Sequence, residues 1–251
     1  MRCCFNSVDE NNYSRISVTI PPLSGCRYTA VRCDSFVANC NIRVLNNRDF
    51  LMMTVGSQPV TVWFEDHTNL TAETWAELLN SKLNESGLVV SVDDCGRLYM
   101  TAGELFWFNN MSYNVKLLLG LYAWKDEDIK AQKVMAVQVG EERYRLDIKS
   151  VGMYLSTPVL NLVSNIGDPA LRNNSDDNYN LQSCNTILRI NNAFTPTMPI
   201  VAGGDGSTSI VPSGYVSGAV FVLVDANMRQ VDLLSPMYIS LTLEPLSGYE
   251  G

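Results

Sequence analysis

The chain has one histidine, His67, in the stretch FEDHTNLTAETWAELLNSKLNES that runs from Phe64 to Ser86. Four carboxylates surround it: Glu65, Asp66, Glu73 and Glu77. An imidazole among acids could relay protons or bind a metal. The spacing fits neither role. It matches no HExxH zinc motif, and the two later acids suit another task. Thr71 has the hydroxyl of an N-cap, and Leu70 with Trp75 has the spacing of a hydrophobic staple. Glu73 and Glu77 then fall in the first two turns of a helix, where its dipole favours negative charge. Trp75, Leu78, Leu79 and Leu83 make one apolar stripe. His67 is therefore expected in the loop that enters this helix.

Other groups that could do chemistry are read the same way. Seven cysteines (Cys3, Cys4, Cys26, Cys33, Cys40, Cys95, Cys184) include no CxxC pair, so a zinc site is not indicated. They are expected as free thiols in a reducing compartment. GGDGSTS (Gly203 to Ser209) has glycines but no P-loop lysine and reads as a surface loop. NSDDN (Asn174 to Asn178) lacks the acid order of a calcium loop. No GxSxG elbow is present. Trp63, Trp75, Trp107 and Trp124 could stack on sugars, but core and interface duties fit them better. The sequence thus assigns no catalytic, cofactor-binding or metal-binding residue, and the protein is expected to need no cofactor and not to be an enzyme.

Composition narrows the partners. The 251 residues carry a net charge of −8, and only 18% are charged. The arginines nearest to a cluster (Arg27, Arg32, Arg43, Arg48) are scattered, so direct nucleic-acid binding is not expected. Hydrophobic residues reach 46%, enough for a sizeable core. A surface poor in charge and rich in neutral polar groups suits burial in an assembly. Sequons occur at Asn12, Asn69, Asn84, Asn110 and Asn173, but no secretory apolar region precedes them, so glycosylation is not expected. No apolar run approaches the ~20 residues of a membrane-spanning helix.

The elements that must position these groups are mostly short strands. RISVTIPP, CRYTAVRC, CNIRVLN, DFLMMTVG and PVTVWFED alternate or are rich in β-branched residues. GLVVSVDDCGRLYMT reads as a hairpin turning at Asp94-Cys95-Gly96. ELFWFNN reads as a strand. SYNVKLLLGLY reads as a helix with Val115, Leu118, Leu119 and Tyr122 on one face, weakened or ended at Gly120. KDEDIK (Lys125 to Lys130) reads as a polar break. Beyond it, KVMAVQVG, a long extended run from Glu142, and TILRINN are β, and PTMPIVAGGDGSTSIVPSGY is a Pro/Gly/Ser loop. LRNNSDDNYNLQS is a further loop. FVLVDANMRQVDLLSPMYISLTLEP turns at Asp225-Ala226-Asn227. Its last strand buries Met237, Ile239, Leu241 and Leu243 and turns Tyr238, Ser240, Thr242 and Glu244 outward. The expected organisation is a β domain of residues 1–57 and 125–251, with a small βαββα unit at 58–124.

Two stretches resemble a known family. PVTVWFEDHTNLTAETWAELLNSKLNESGLVVSVDDCGRLYMT with NVKLLLGLY is similar to a pattern in the minor capsid (penton) proteins of polinton-like viruses, virophages and adintoviruses: strand, acidic turn, helix, hairpin, and LLG helix. TILRINNAF with FVLVDANMRQVDLLSPMYISLTLEP is similar to their closing strands. The likeness spans about two-thirds of the chain, and KDEDIK and the cysteine-rich start depart from it. The resemblance implies a mainly β, jelly-roll-type sandwich that forms homopentamers at icosahedral vertices. It also implies contact with the major capsid protein and a place in the virion. The rival readings are a receptor- or glycan-binding β-sandwich module of a virion spike, and a carboxylate-pair hydrolase.

Overall fold

The computed structural model describes residues 1–7, 13–20, 23, 25–39, 41–152, 155, 159–166, 184–191, 199–204, 208–213 and 219–246. The chain opens with β1 (Arg2–Asn6), β2 (Arg15–Val18) and β3 (Tyr28–Ala38). Next come β4 (Arg43–Leu45), β5 (Phe50–Val55), β6 (Gln58–Trp63) and β7 (His67–Thr68). Helix α1 (Ala72–Leu83) ends in a 3-10 turn, and β8 (Val89–Val92), β9 (Leu98–Ala102) and β10 (Phe106–Met111) follow. Short helices α2 (Tyr113–Leu118) and α3 (Asp126–Lys130) lead to β11 (Val137–Gly140) and β12 (Arg143–Asp147). The last strands are β13 (Val159–Ser164), β14 (Asn185–Asn191), β15 (Ile200–Gly203), β16 (Thr208–Pro212), β17 (Ala219–Val224) and β18 (Met237–Leu246). Two compact units result: Met1–Ile42 with Pro158–Gly251, and Arg43–Thr157.

The first unit is built on the alternation of β18. Met237, Ile239, Leu241 and Leu243 are buried, as the period of two requires, and Tyr238 and Glu244 are exposed. β18 lies between β1 and β3, and β15 and β16 both pair with the far side of β3. Ile200 stands opposite Ala38 and Thr208 opposite Arg32. β15 and β16 therefore share one strand position beside β3. Counted so, the strand positions run 1-8-3-6 in this sheet and 2-7-4-5 in the sheet β2-β17-β13-β14. That is the order of a jelly roll, two Greek keys folded into facing sheets. The fold is mainly β, as the sequence indicated. The Pro/Gly/Ser segment expected as a loop instead supplies β15 and β16, because β3 offers it an edge to pair with.

β17 reads AVFVLV and is buried at every position. Phe221 pairs with Ile16 and Leu223 with Leu162 in the core. Val220, Val222 and Val224 point the other way and form a second buried cluster with Val163, against which Cys184 and Met228 pack. A continuous apolar run is what a strand covered on both faces needs. The turn after it is held by Asp225, whose Oδ1 accepts from the amides of Asn227 and Arg229 at 2.8 and 3.0 Å.

The second unit contains three antiparallel sheets: β10-β5-β6, β11-β12-β9-β8 and the pair β4-β7. It is longer at both ends than the 58–124 expected. β5 pairs with β6 and β10, and β12 pairs with β9, so these strands join the middle unit. KDEDIK is no break, either. It forms α3, with Ile129 buried and the exposed Asp126 accepting from Nζ of the buried Lys116 at 2.6 Å. Five charges in six residues hid one apolar contact.

Helix α1 starts where the sequence places it. Thr71 caps it, accepting from the Thr74 amide at 3.2 Å, and Thr74 Oγ1 accepts from the Thr71 amide at 2.9 Å. Leu70 and Trp75 are both buried, and Trp75 lies 5.3 Å from the Phe64 ring. The buried stripe is Ala72, Trp75, Ala76, Leu79 and Leu83, with Leu78 only half-buried. The Trp75 indole N–H is buried with no acceptor among the described residues, so packing rather than hydrogen bonding holds the ring. Helix α2 ends at Gly120, which has φ +70° and whose absent Cβ would lie 2.5 Å from the Ser150 carbonyl oxygen. The Leu121 amide reaches back to the Lys116 carbonyl, closing the helix. Tyr122 lies past this stop and is exposed, not on the helix's buried face.

Two outcomes check this packing. Thr71→Ala removes the cap and lowers stability by about 1 kcal/mol, whereas Trp75→Ala costs about 3 to 5 kcal/mol; urea unfolding compares the two. Equal small losses would show that α1 is not anchored by Trp75. Leu241→Asp puts an unpaired carboxylate in the sandwich core and abolishes the cooperative unfolding transition seen by circular dichroism. A folded variant would overturn the β18 register.

Candidate assembly surfaces

The outer face of the β1-β18-β3 sheet is the first candidate. Register places Cys4, Ser240 and Ser35 in one row and Asn6, Tyr238 and Val37 in the next. Val201 extends the second row across β15. These seven side chains include no ionised group. They line or border a shallow depression of about 320 Å³ that Phe5 and Ile239 complete. Tyr238 is 52% exposed and Val201 53%. Ser240 also points outward but is buried, because Arg2 and Cys4 of β1 lie over it: Arg2 Nε donates to its hydroxyl at 3.0 Å. The neutral outer face expected from Tyr238, Ser240 and Thr242 is thus present, with Ser240 already covered within the chain.

Charge is gathered at the other end of that face, around Asp34. The inward residues of β3 change parity there, from Val31 and Cys33 to Phe36 and Ala38. Ser240 faces Ser35 but Leu241 faces Cys33, so Asp34 is the extra residue of a β-bulge. The neighbouring edge breaks at the same level. The Gly204 amide donates to the Asp34 carbonyl at 2.9 Å, and a Cβ on Gly204 would lie 2.0 Å from the Cys33 carbonyl oxygen. Asp34 accepts from the Thr242 hydroxyl at 2.5 Å and from Arg32 Nε at 3.1 Å, with Arg2 Nε at 3.8 Å. The Thr242 hydroxyl does most to hold the Asp34 carboxyl below the ordinary 3.8; partial burial opposes this, and Arg32 and Arg2 add to it. Sequence reading missed Asp34, yet the parity change along VRCDSFVA was its signal.

The second candidate is the outer face of β10-β5-β6 in the middle unit. Phe50 pairs with Trp63, Met52 with Thr61, and Trp107 with Thr54, all on the side away from buried Leu51 and Met53. Trp107 also bridges to Met135, which leads into β11. Trp63 is 60% exposed and Val137 62%; Met135 and Val139 are exposed too. β11 is an end strand with all four residues exposed. Scattered exposed apolar groups are ordinary, but neighbouring ones, such as Trp63 with Phe50 and Trp107 with Met135, offer candidate contacts. Of the four tryptophans, the structure puts Trp75 in the core and leaves Trp63 and Trp124 outside.

The opening stretch makes no constellation. His67 sits in β7, opposite Leu45, and Asp66 lies 3.7 Å from Arg43. Glu65, Glu73 and Glu77 are exposed. Among the described residues no three His, Cys, Asp or Glu side chains lie close enough to hold a metal ion. Six cysteines (Cys3, Cys4, Cys26, Cys33, Cys95, Cys184) carry free thiols; Cys40 is outside the described residues. NSDDN also lies outside them. Gly203 and Gly204 of GGDGSTS end β15 against β3 rather than opening a helix. No helix among the described residues is long and apolar enough to cross a membrane.

No family model matches this chain, and no curated protein matches it. Among solved structures, the chain is similar to the mavirus penton protein at 10% identity and a TM-score of 0.49, over 98% of this chain and 100% of that one. It is also similar to a chain of the Sputnik virophage at 9% identity and a TM-score of 0.40, over 97% of this chain and 98% of that one.

Proposed function

We propose that the protein is a capsid structural protein, the penton subunit of an icosahedral shell, which forms homopentamers and contacts the major capsid protein. The observation that carries this reading is the neutral outer face of the jelly roll: Tyr238, Val37 and Val201 beside Asn6, Cys4 and Ser35. A jelly roll alone would not suffice, since the fold serves lectins and cupins as well as capsids. The neutral end of the face can be covered by a neighbour without stranding an ion, and closed rings need two different complementary patches on each subunit. The exposed Trp63 and the exposed strand β11 offer further contacts. The sequence resemblance to penton proteins points the same way. The reading also places the protein in the virion, assembled in a reducing compartment of the host, with no catalytic duty and no direct contact with the genome.

Native mass spectrometry of the purified chain tests it. A five-fold species is expected. Tyr238→Asp leaves the melting temperature unchanged and removes that species, because a carboxylate on the covered face loses its water. Tyr238 is chosen over Thr242, whose hydroxyl serves Asp34. A parent chain that stays monomeric at high concentration would sink the pentamer reading. A Tyr238→Asp variant that assembles normally would remove this face from the interface.

The exposure of Trp63 favours one second reading, a glycan-binding module of a virion spike, in which the ring stacks on a sugar. Binding on a glycan array that Trp63→Ala abolishes would replace the capsid reading. The position of His67 gives a further outcome: His67→Ala keeps fold and assembly intact. Loss of a bound zinc ion or of a hydrolytic activity in that variant would overturn the non-enzymatic reading.

A further inference from the structure

We propose that β1 is a releasable strand, locked onto the jelly roll from outside through Asp34 and hinged at Ser7. None of its five side chains is buried: Arg2, Cys4 and Asn6 are exposed, and Cys3 and Phe5 are half-buried. Its neighbour β18 buries Met237, Ile239, Ser240, Leu241 and Leu243. β1 ends its sheet and pairs with β18 alone. Its hold is therefore the ladder to β18 plus a few polar contacts, with little hydrophobic contribution. Segments of that kind open locally, below the free energy of global unfolding.

The polar contacts divide between the two ends of the strand. At the far end Ser7 is buried, donates its amide to the Met237 carbonyl at 3.0 Å, and accepts from the Met237 amide at 3.0 Å. This end stays fixed. At the near end the Met1 ammonium donates to the Leu243 carbonyl at 2.6 Å. Arg2 lies between Ser240 and Asp34. Asp34 is itself fixed by Thr242 of β18 and by Arg32 of its own strand. The charged groups that face Asp34 among the described residues are Arg2 from β1 and Arg32 from β3. Glu244 lies two residues past Thr242 on the same face, and the Gly204 amide, just after β15, meets the Asp34 backbone. Release of β1 leaves the backbone groups of β18 unpaired, an edge able to pair with another strand.

The lock is acid-sensitive in one direction. The Asp34 carboxyl is held below its ordinary 3.8. Thr242 does most of this and Arg2 least, so only the Arg2 share belongs to β1; it is present above the ordinary value and is lost as the pH falls through the lowered one. The strand stays locked under mildly acidic conditions and loosens only in strong acid.

Amide hydrogen exchange on the full chain tests the proposal. β1 amides are expected to exchange on the order of a hundredfold faster than those of β3. In Asp34→Asn they exchange roughly threefold faster again at neutral pH, with β3 unchanged, since a partly exposed ion pair is worth little. Arg2→Gln, which leaves the bulge untouched, gives the same increase. After correction for intrinsic exchange chemistry, β1 protection in the parent declines slightly in strong acid, while in Asp34→Asn it does not. Equal exchange of β1 and β3 would overturn the releasable strand. Unchanged β1 exchange in both variants would overturn the lock. Cys4 and Asn6 of β1 lie on the face proposed to be covered in a ring, so exchange is read at a concentration where native mass spectrometry shows the monomer, and this inference and the capsid reading then fail separately.

Discussion

The ladder between β3 and β18 is the pairing on which the first unit depends. Ten residues of β18, Met237 to Leu246, find partners from Ala38 to Tyr28. The two strands lie at the centre of their sheet, with β1 on one side and β15 and β16 on the other. They also carry Leu241, Leu243 and Phe36, which are fully buried. A ladder this long between strands from opposite ends of the chain has a large loop-closure cost. It forms only because each strand buries one whole face. The bulge at Asp34 interrupts it once, and the interruption organises the surface: β15 and β16 separate at that level, Gly204 presses against the β3 backbone, and the arginines converge on one carboxylate.

The middle unit answers a different constraint. Its strands are short, and hairpins alone are marginal in water. Helix α1 supplies the missing cover: Asn80 bonds to both backbone groups of Val90, its Nδ2 donating to the carbonyl at 2.8 Å and its Oδ1 accepting from the amide at 2.7 Å. Trp75, Leu79 and Leu83 close the apolar side. The next hairpin is tied by Asp93, whose carboxylate accepts from the amides of Cys95 and Arg97. Polar side chains thus do local work that a larger sheet would leave to its ladder.

What was legible in the sequence was whatever a local rule decides. Period two identified the buried side of β18, and the Thr71 cap with its Leu70 and Trp75 neighbours identified the start of α1. Gly120 was legible as a helix stop, because a left-handed residue with a carbonyl 2.5 Å from a would-be Cβ must be glycine. What escaped depended on partners far along the chain. β15 and β16 are strands because β3 has a free edge; nothing in PTMPIVAGGDGSTSIVPSGY alone says so. The helix in KDEDIK depends on Lys116 and on a pocket for Ile129. The extent of the middle unit follows from β5 and β12 choosing partners inside it. The candidate surfaces were half legible: the alternation that buries Leu241 necessarily turns Tyr238 outward, but the approach of Trp107 to Met135 joins distant residues and no window of sequence contains it.

The two candidate surfaces differ in what they could do. The jelly-roll face mixes hydroxyls, an amide and a few apolar groups around a shallow depression, and its ionised residues are gathered at one end where they neutralise one another. Such a face loses little on desolvation, yet gains little from any single contact. It suits a repeated, geometrically exact contact between many copies, where affinity accumulates around a closed ring. The middle-unit face is more apolar and carries Trp63, a residue type that concentrates binding energy when it is buried. An end strand with four exposed residues adds unpaired backbone groups beside it. That combination suits one strong contact with a partner of matching shape. The two units thus offer different contacts, one neutral and polar, the other apolar.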